Sequence, residues 1–288
     1  MDTALDKALG ISLIIFMIGS LLEIGLKLSI GDAWRALRNA RFVIQRLLWA
    51  FVLCPALAIL LTKIIPLSKA YADGMLFLGM APCAPFFPLA AQKARGDLAY
   101  VAALVLLTAV GTVLYMPFLT PVLIPGFYAD AWAIAKPLLF FILTPMVAGM
   151  AIRHSATAFA DRFHPICRKV TVVNILIMFS LVLWIYRTDL AGMVGTYAIG
   201  TQFLYYALVT VAAYGLGFGL PHSQKSVLAI GVSTRNIGAA IAPLLAVPGT
   251  DKHMIVMAVM AAPITLICAF GAAPLLARLD PANKPNKA

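Results

Sequence analysis

The 288 residues are 62% hydrophobic and 11% charged, with a formal net charge of +11 and a mean hydropathy of +0.96. Soluble domains carry about 25% charged residues, so the composition excludes one, and apolar runs of about 20 residues from end to end make this an integral membrane protein. The runs are continuous rather than alternating over about 10 residues, which excludes a β-barrel, and the positive charge is parcelled out between them, which excludes a nucleic-acid-binding surface.

In chain order, the sequence predicts nine helical spans, near 8–26, 42–62, 74–91, 98–124, 131–151, 170–186, 197–220, 226–247 and 254–277. Connections are expected to be short, the longest running over 152–169. Before the first span stand Asp2, Asp6 and Lys7, so there is no basic n-region and a cleaved signal is not expected. Near the end of that span lies the chain's one glutamate, Glu23, placed to pair with Lys27 four residues on. Asp97 precedes the fourth span as its N-cap. The basic residues divide unevenly. Lys27, Arg35, Arg38, Arg41, Arg46, Lys93, Arg95, Arg153, Arg162, Arg168, Lys169, Lys225, Arg278, Lys284 and Lys287 fall on one side, and Lys7, Lys63, Lys69, Lys136, Arg187 and Lys252 on the other. By the positive-inside rule this predicts a multi-pass inner-membrane protein with its N-terminus outside and its C-terminus in the cytoplasm, which requires an odd number of spans.

Two spans are broken. In the third, Gly79-Met80-Ala81-Pro82-Cys83-Ala84-Pro85-Phe86-Phe87-Pro88 carries three prolines at intervals of three. Each removes a backbone donor and clashes with the preceding turn, so an unwound segment is predicted. In the eighth, Gly231-Val232-Ser233-Thr234-Arg235-Asn236-Ile237-Gly238 sets a full charge at mid-span. A central arginine is penalised by at least ~2.5 kcal/mol, and such residues normally face a cavity or an anion. The breaks lie five spans apart, so their surroundings enter the membrane in opposite directions, as in an inverted repeat pairing spans one to four with six to nine.

Broken spans at corresponding places mark a transporter binding site. Arg235, Ser233, Thr234 and Asn236 are the candidate ligands for an anion, aided by backbone N–H groups at a half-helix start, with Pro82 and Pro85 lining the facing side. The four cysteines (Cys54, Cys83, Cys167, Cys268) have no paired spacing and read as small buried hydrophobes. The histidines (His154, His164, His222, His253) fall in loops or at span ends, and His164 with Cys167 is too small a set for zinc. No nucleophile–base pair or nucleotide motif is present, so neither an enzyme nor a cofactor is expected.

Three stretches carry a family likeness: Gly25-Leu26-Lys27-Leu28-Ser29-Ile30-Gly31-Asp32; Pro82 followed by Ala94-Arg95-Gly96-Asp97; and Ser233-Thr234-Arg235-Asn236-Ile237-Gly238-Ala239-Ala240. They resemble the glycine-leucine run, the CPGG…SN…A-[KR]-G-D stretch and the E-x-G-x-Q-N-x-x-L-A stretch of the bile acid:sodium symporter superfamily. The resemblance implies one integral membrane unit over 1–288. It would have a panel (spans near 8–26, 131–151 and 170–186) and a core (42–124 and 197–277) in which two discontinuous helices cross. The family's sodium-binding glutamate falls on Gly231, its glutamine on Arg235 and its Ser-Asn pair on Phe87-Pro88; Asn236 alone keeps the polar residue. Exchanging a carboxylate for a guanidinium would repel sodium there. The expectation is therefore a secondary transporter of a small organic anion, with Arg235 as a built-in cation in place of sodium. The alternatives are a sodium- or proton-coupled symporter of bile-acid-like or other organic acids, or a non-transporting membrane sensor. The bilayer and the anion are the expected partners, and a homodimer is compatible with the sequence.

Overall fold

A computed structural model describes residues 3–127 and 130–281; Asp2, Lys284 and Lys287, used above, lie outside the described residues. All the regular structure among them is helical. The helices are α1 (Thr3–Lys27), α2 (Ile30–Leu37), α3 (Ala40–Ile64), α4 (Lys69–Met80), α5 (Phe87–Lys93), α6 (Leu98–Leu123) and α7 (Ala131–Ser155), followed by α8 (Thr157–Ile185), α9 (Arg187–Gly192), α10 (Ala198–Gly215), α11 (His222–Ser233), α12 (Ile237–Ala246) and α13 (Lys252–Arg278). Six of these, α1 from Lys7 onward, α3, α6, α7, α8 and α13, are long and apolar enough to cross a membrane. Asp97 caps α6 by accepting from the Ala99 N–H at 2.9 Å.

The sequence expectations fail in several places. The longest expected connection, 152–169, is helical except at Ala156: 152–155 end α7, and 157–169 lengthen α8 to 29 residues. Its charged residues interrupt the hydropathy but not the backbone hydrogen bonding, because Arg and Lys are good helix formers. His164 consequently lies within a helix rather than a loop. Its Nε2 sits 3.5 Å from Glu23 of α1, whose carboxylate lies within electrostatic reach of Arg168 as well as Lys27. Arg46, grouped above with the loop charges, is fully buried inside α3. The tightly wound part of α3 ends just beyond it, where Trp49–Leu53 forms a π-helical turn ahead of Cys54-Pro55. The proline at 55 has no N–H for the usual ladder, and the wider turn accommodates its ring.

Helix α1 packs along α7 and α8. Ser12 donates to Asn174 Oδ1 at 3.0 Å, and Asn174 Nδ2 returns a bond to the Ser12 carbonyl at 2.8 Å, a polar clasp between α1 and α8 in an apolar setting. Across α1 and α7 the backbones touch. A Cβ on Gly149 would lie 2.6 Å from Leu22 O and 2.8 Å from Leu26 N, atoms that cannot turn aside. Gly149→Ala is expected to destabilise the protein by about 1–3 kcal/mol through overpacking, while Gly271→Ala, whose Cβ meets nothing within 4 Å, should leave it unchanged. Thermal unfolding of the purified variants checks this pair.

The remaining helices gather around α4–α5 and α11–α12. α4 packs on α13 and α3, α10 on α11 and α13, and α12 on α13 and on the start of α7. Arg41 of α3 reaches the Gly219 carbonyl at 3.1 Å, and Arg95 meets Asp280 at 3.3 Å. Lys252 meets Asp189 at 2.9 Å, and the Tyr71 ring stands edge-on to His253.

Candidate functional site

Helix α4 stops at Met80 because Pro82 and Pro85 cannot donate to its last turn, and the backbone is non-helical from Ala81 to Ala84. Cys83 takes φ 74°, a left-handed conformation that is strained for a residue with a side chain and is held there by its neighbours. The unwinding ends sooner than the three prolines implied. The chain turns helical again at Phe87, so Pro88 occupies the first turn of α5, where its missing N–H costs nothing. The second break is also narrower than its sequence. Helix α11 continues through Ser233, only Thr234, Arg235 and Asn236 are non-helical, and Asn236 restarts the chain by accepting the Ala239 N–H at 3.1 Å as the N-cap of α12.

The two breaks satisfy each other. Pro82 and Arg235 pair as an isolated antiparallel bridge. The Cys83 N–H donates to Thr234 O at 2.8 Å, the Asn236 N–H to Ala81 O at 2.9 Å, and the Ala84 N–H to Thr234 Oγ1 at 3.3 Å. Backbone groups that neither helix can pair are thus paired by the other, the condition for non-helical backbone at membrane depth.

The geometry separates the residues nominated from sequence. Pro82, Pro85 and Asn236 line a cavity of about 10 Å³, closed by Leu21 and Ile24 of α1, Ile142 of α7, and Thr108 and Thr112 of α6. That volume holds about one water molecule and no organic solute. Ser233 and Thr234 turn their hydroxyls back to Ile230 O and Gly231 O, at 3.2 and 3.3 Å.

Arg235 points away from this cavity and is fully buried. Its Nη2 donates to Val232 O at 2.6 Å and its Nη1 to Gly79 O at 3.5 Å. Those carbonyls belong to the last turns of α11 and α4, whose C-terminal ends meet here. A C-terminal end carries about half a negative charge, so the guanidinium sits where two such ends converge. The Tyr205 ring of α10 covers it, with Cζ 5.1 Å from the ring centroid. Beside it Cys54 Sγ lies 3.7 Å from Val232 O, and Tyr205 Oη donates to Cys54 O at 3.3 Å.

Family sodium positions can be tested on these residues. Gly231 offers no side chain, and a Cβ there would stand 2.6 Å from Leu104 Cδ1 and 3.1 Å from Phe87 Cε2. The space a carboxylate would need is filled by Leu104 and Phe87, and the charged side chain four residues on is the Arg235 guanidinium. These residues do not fit a sodium ion. Among the described residues no group of three or more His, Cys, Asp or Glu side chains is arranged to hold a metal.

Sequence reasoning missed Arg46, Cys54, Tyr205 and Tyr206, which surround Arg235. For Arg46 a signal existed: it lies within an apolar run, Phe42 to Trp49, rather than beside one. The tyrosines carry no such mark, because an aromatic in an apolar helix looks the same facing lipid or a guanidinium.

Comparison with known proteins gives two findings. Residues 11–193 match the profile of the Sodium Bile acid symporter family. The probable sodium/metabolite cotransporter BASS3, chloroplastic, of Arabidopsis thaliana is 23% identical over 235 residues, covering 79% of this chain and 54% of the plant protein. The chain thus spans about half the length of that curated relative. Both descriptions are of transporters, neither of an enzyme.

Proposed function

This chain belongs to the sodium bile acid symporter family, and from that premise we propose that it is a secondary transporter of a small organic anion that does not use the family's sodium positions. Counting each broken pair, α4–α5 and α11–α12, and the 18-residue α10 as one crossing apiece alongside the six long helices gives nine passes in two inverted repeats, with the N-terminus outside. The panel would be α1, α7 and α8, and the core the remaining crossings. The cavity at the breaks lies between them: Leu21, Ile24 and Ile142 come from the panel and Pro82, Pro85 and Asn236 from the core. A site of about 10 Å³ admits a solute only if one body moves relative to the other, which is alternating access by rocking.

The observation that carries the reading is the Arg235 guanidinium seated at the meeting C-termini of α4 and α11. It supplies a fixed positive charge behind the crossing, and the solute's anionic group would approach from the cavity side, at Asn236 and the Thr234 turn. In this reading Arg235 attracts the anion through the crossing rather than by touching it in the closed state.

The test is a thermal-stability screen of small carboxylates and sulfonates on the purified protein, followed by uptake of the stabilising compounds into proteoliposomes. At least one is expected to stabilise the protein and to cross the membrane, with Asn236→Ala weakening the response by about tenfold, the loss of one charged-group hydrogen bond. Stabilisation without flux would make the chain a sensor on a transporter scaffold.

A further inference from the structure

The core holds a second buried cation with no counterpart in the transport reading. Arg46 is fully buried, and its Nε, Nη1 and Nη2 all lack a hydrogen-bond partner. It lies within electrostatic reach of Arg235, Cys54 and Cys83. Among the described residues neither guanidinium meets a carboxylate; the Arg235 charge is offset by the two helix C-termini it joins, while the Arg46 charge in the same water-excluded region has no such partner. Arg235 at least uses two carbonyls; its Nε is a further unpartnered donor. Leaving one buried charge unpaired costs several kcal/mol, and like charges add to that. Water could satisfy the donors but would not neutralise them.

We propose that Arg46 anchors a small-anion site behind the helix crossing, for a halide or a single carboxylate group held by its Nε and Nη donors with the Arg235 charge nearby. This site is separate from the solute cavity, whose lining includes neither arginine, and it does not depend on which solute the chain moves.

The experiment measures the thermal stability of the purified full chain in chloride, bromide, acetate or gluconate at constant sodium and ionic strength. Chloride and bromide are expected to raise the melting temperature saturably, on the order of 5 °C above gluconate, whose anion is too large for the core. Arg46→Gln should abolish the saturable rise, and Arg46→Lys should shift its midpoint to about tenfold higher halide because a point charge replaces the fork. In gluconate, Arg46→Met should be at least as stable as the wild type, since removing an unpaired buried charge relieves its cost. A rise with acetate but not with halides keeps the site and assigns it to carboxylates. Equal stability in all four salts, a halide response unchanged in Arg46→Gln, or a destabilised Arg46→Met in gluconate overturns the proposal. Failure of the uptake assay leaves these measurements unaffected.

Discussion

Uptake of a labelled organic anion into proteoliposomes is expected to proceed at the same initial rate, within about twofold, whether sodium or choline is outside, since an ion that favours neither conformation shifts no equilibrium. The reason is local. A sodium ion about 4 Å from the Arg235 guanidinium would be repelled by about 4 kcal/mol at an effective dielectric of about 20, roughly a thousandfold in affinity. The carboxylate that could offset this has no room, because a side chain at Gly231 would run into Leu104 and Phe87. Gly231→Glu alone is therefore expected to unfold the core rather than to restore coupling. Steep sodium dependence in the wild type would place a sodium site elsewhere and overturn the proposed mechanism.

Substitution of Arg235 is expected to have the largest effect on the fold and on transport together. Arg235→Ala removes a short charge-assisted hydrogen bond to Val232 O, contributing about 1.5–3 kcal/mol, and a longer, weaker one to Gly79 O at 3.5 Å. It also exposes two helix C-termini to each other without the intervening charge. A fall in melting temperature on the order of 5–10 °C should follow. Uptake should fall more than tenfold, because the crossing that shapes the cavity would no longer be held. Arg235→Lys should fall between, since an ammonium can reach one of the two carbonyls but lacks the fork to hold both. Unchanged stability in Arg235→Ala would mean that the guanidinium does not bind the half-helices together. The contrast with Arg46 is informative, since one buried arginine is held by backbone carbonyls and the other by no protein group.

Much of the fold is legible in the sequence because the bilayer simplifies the question. A segment that crosses lipid must be apolar for about 20 residues and must pair its own backbone, so the six long helices stand out in the hydropathy. The breaks are legible for the complementary reason: Pro82, Pro85 and Arg235 are costly in lipid unless something compensates. What compensates is not legible. Nothing in either segment says that Cys83 and Asn236 will donate to the opposite break. Their partners lie about 150 residues away, and helices that are apolar all round leave no face to mark the interior. Residues 152–169 look like a connection in sequence because charge density reports exposure to water, and an exposed segment can be as helical as a buried one.

The sequence by itself determined a polytopic helical membrane protein of this family, with two interrupted helices and an arginine within the second interruption, because composition, proline and charge act through local energetics. The tertiary structure alone decided where the charges point. It turned Arg235 from the cavity onto the ends of two half-helices, left Asn236, Pro82 and Pro85 at the cavity, and buried Arg46 beside the crossing. Those outcomes depend on which carbonyls, rings and helix ends converge in space, and convergence of segments far apart in the chain has no one-dimensional signature.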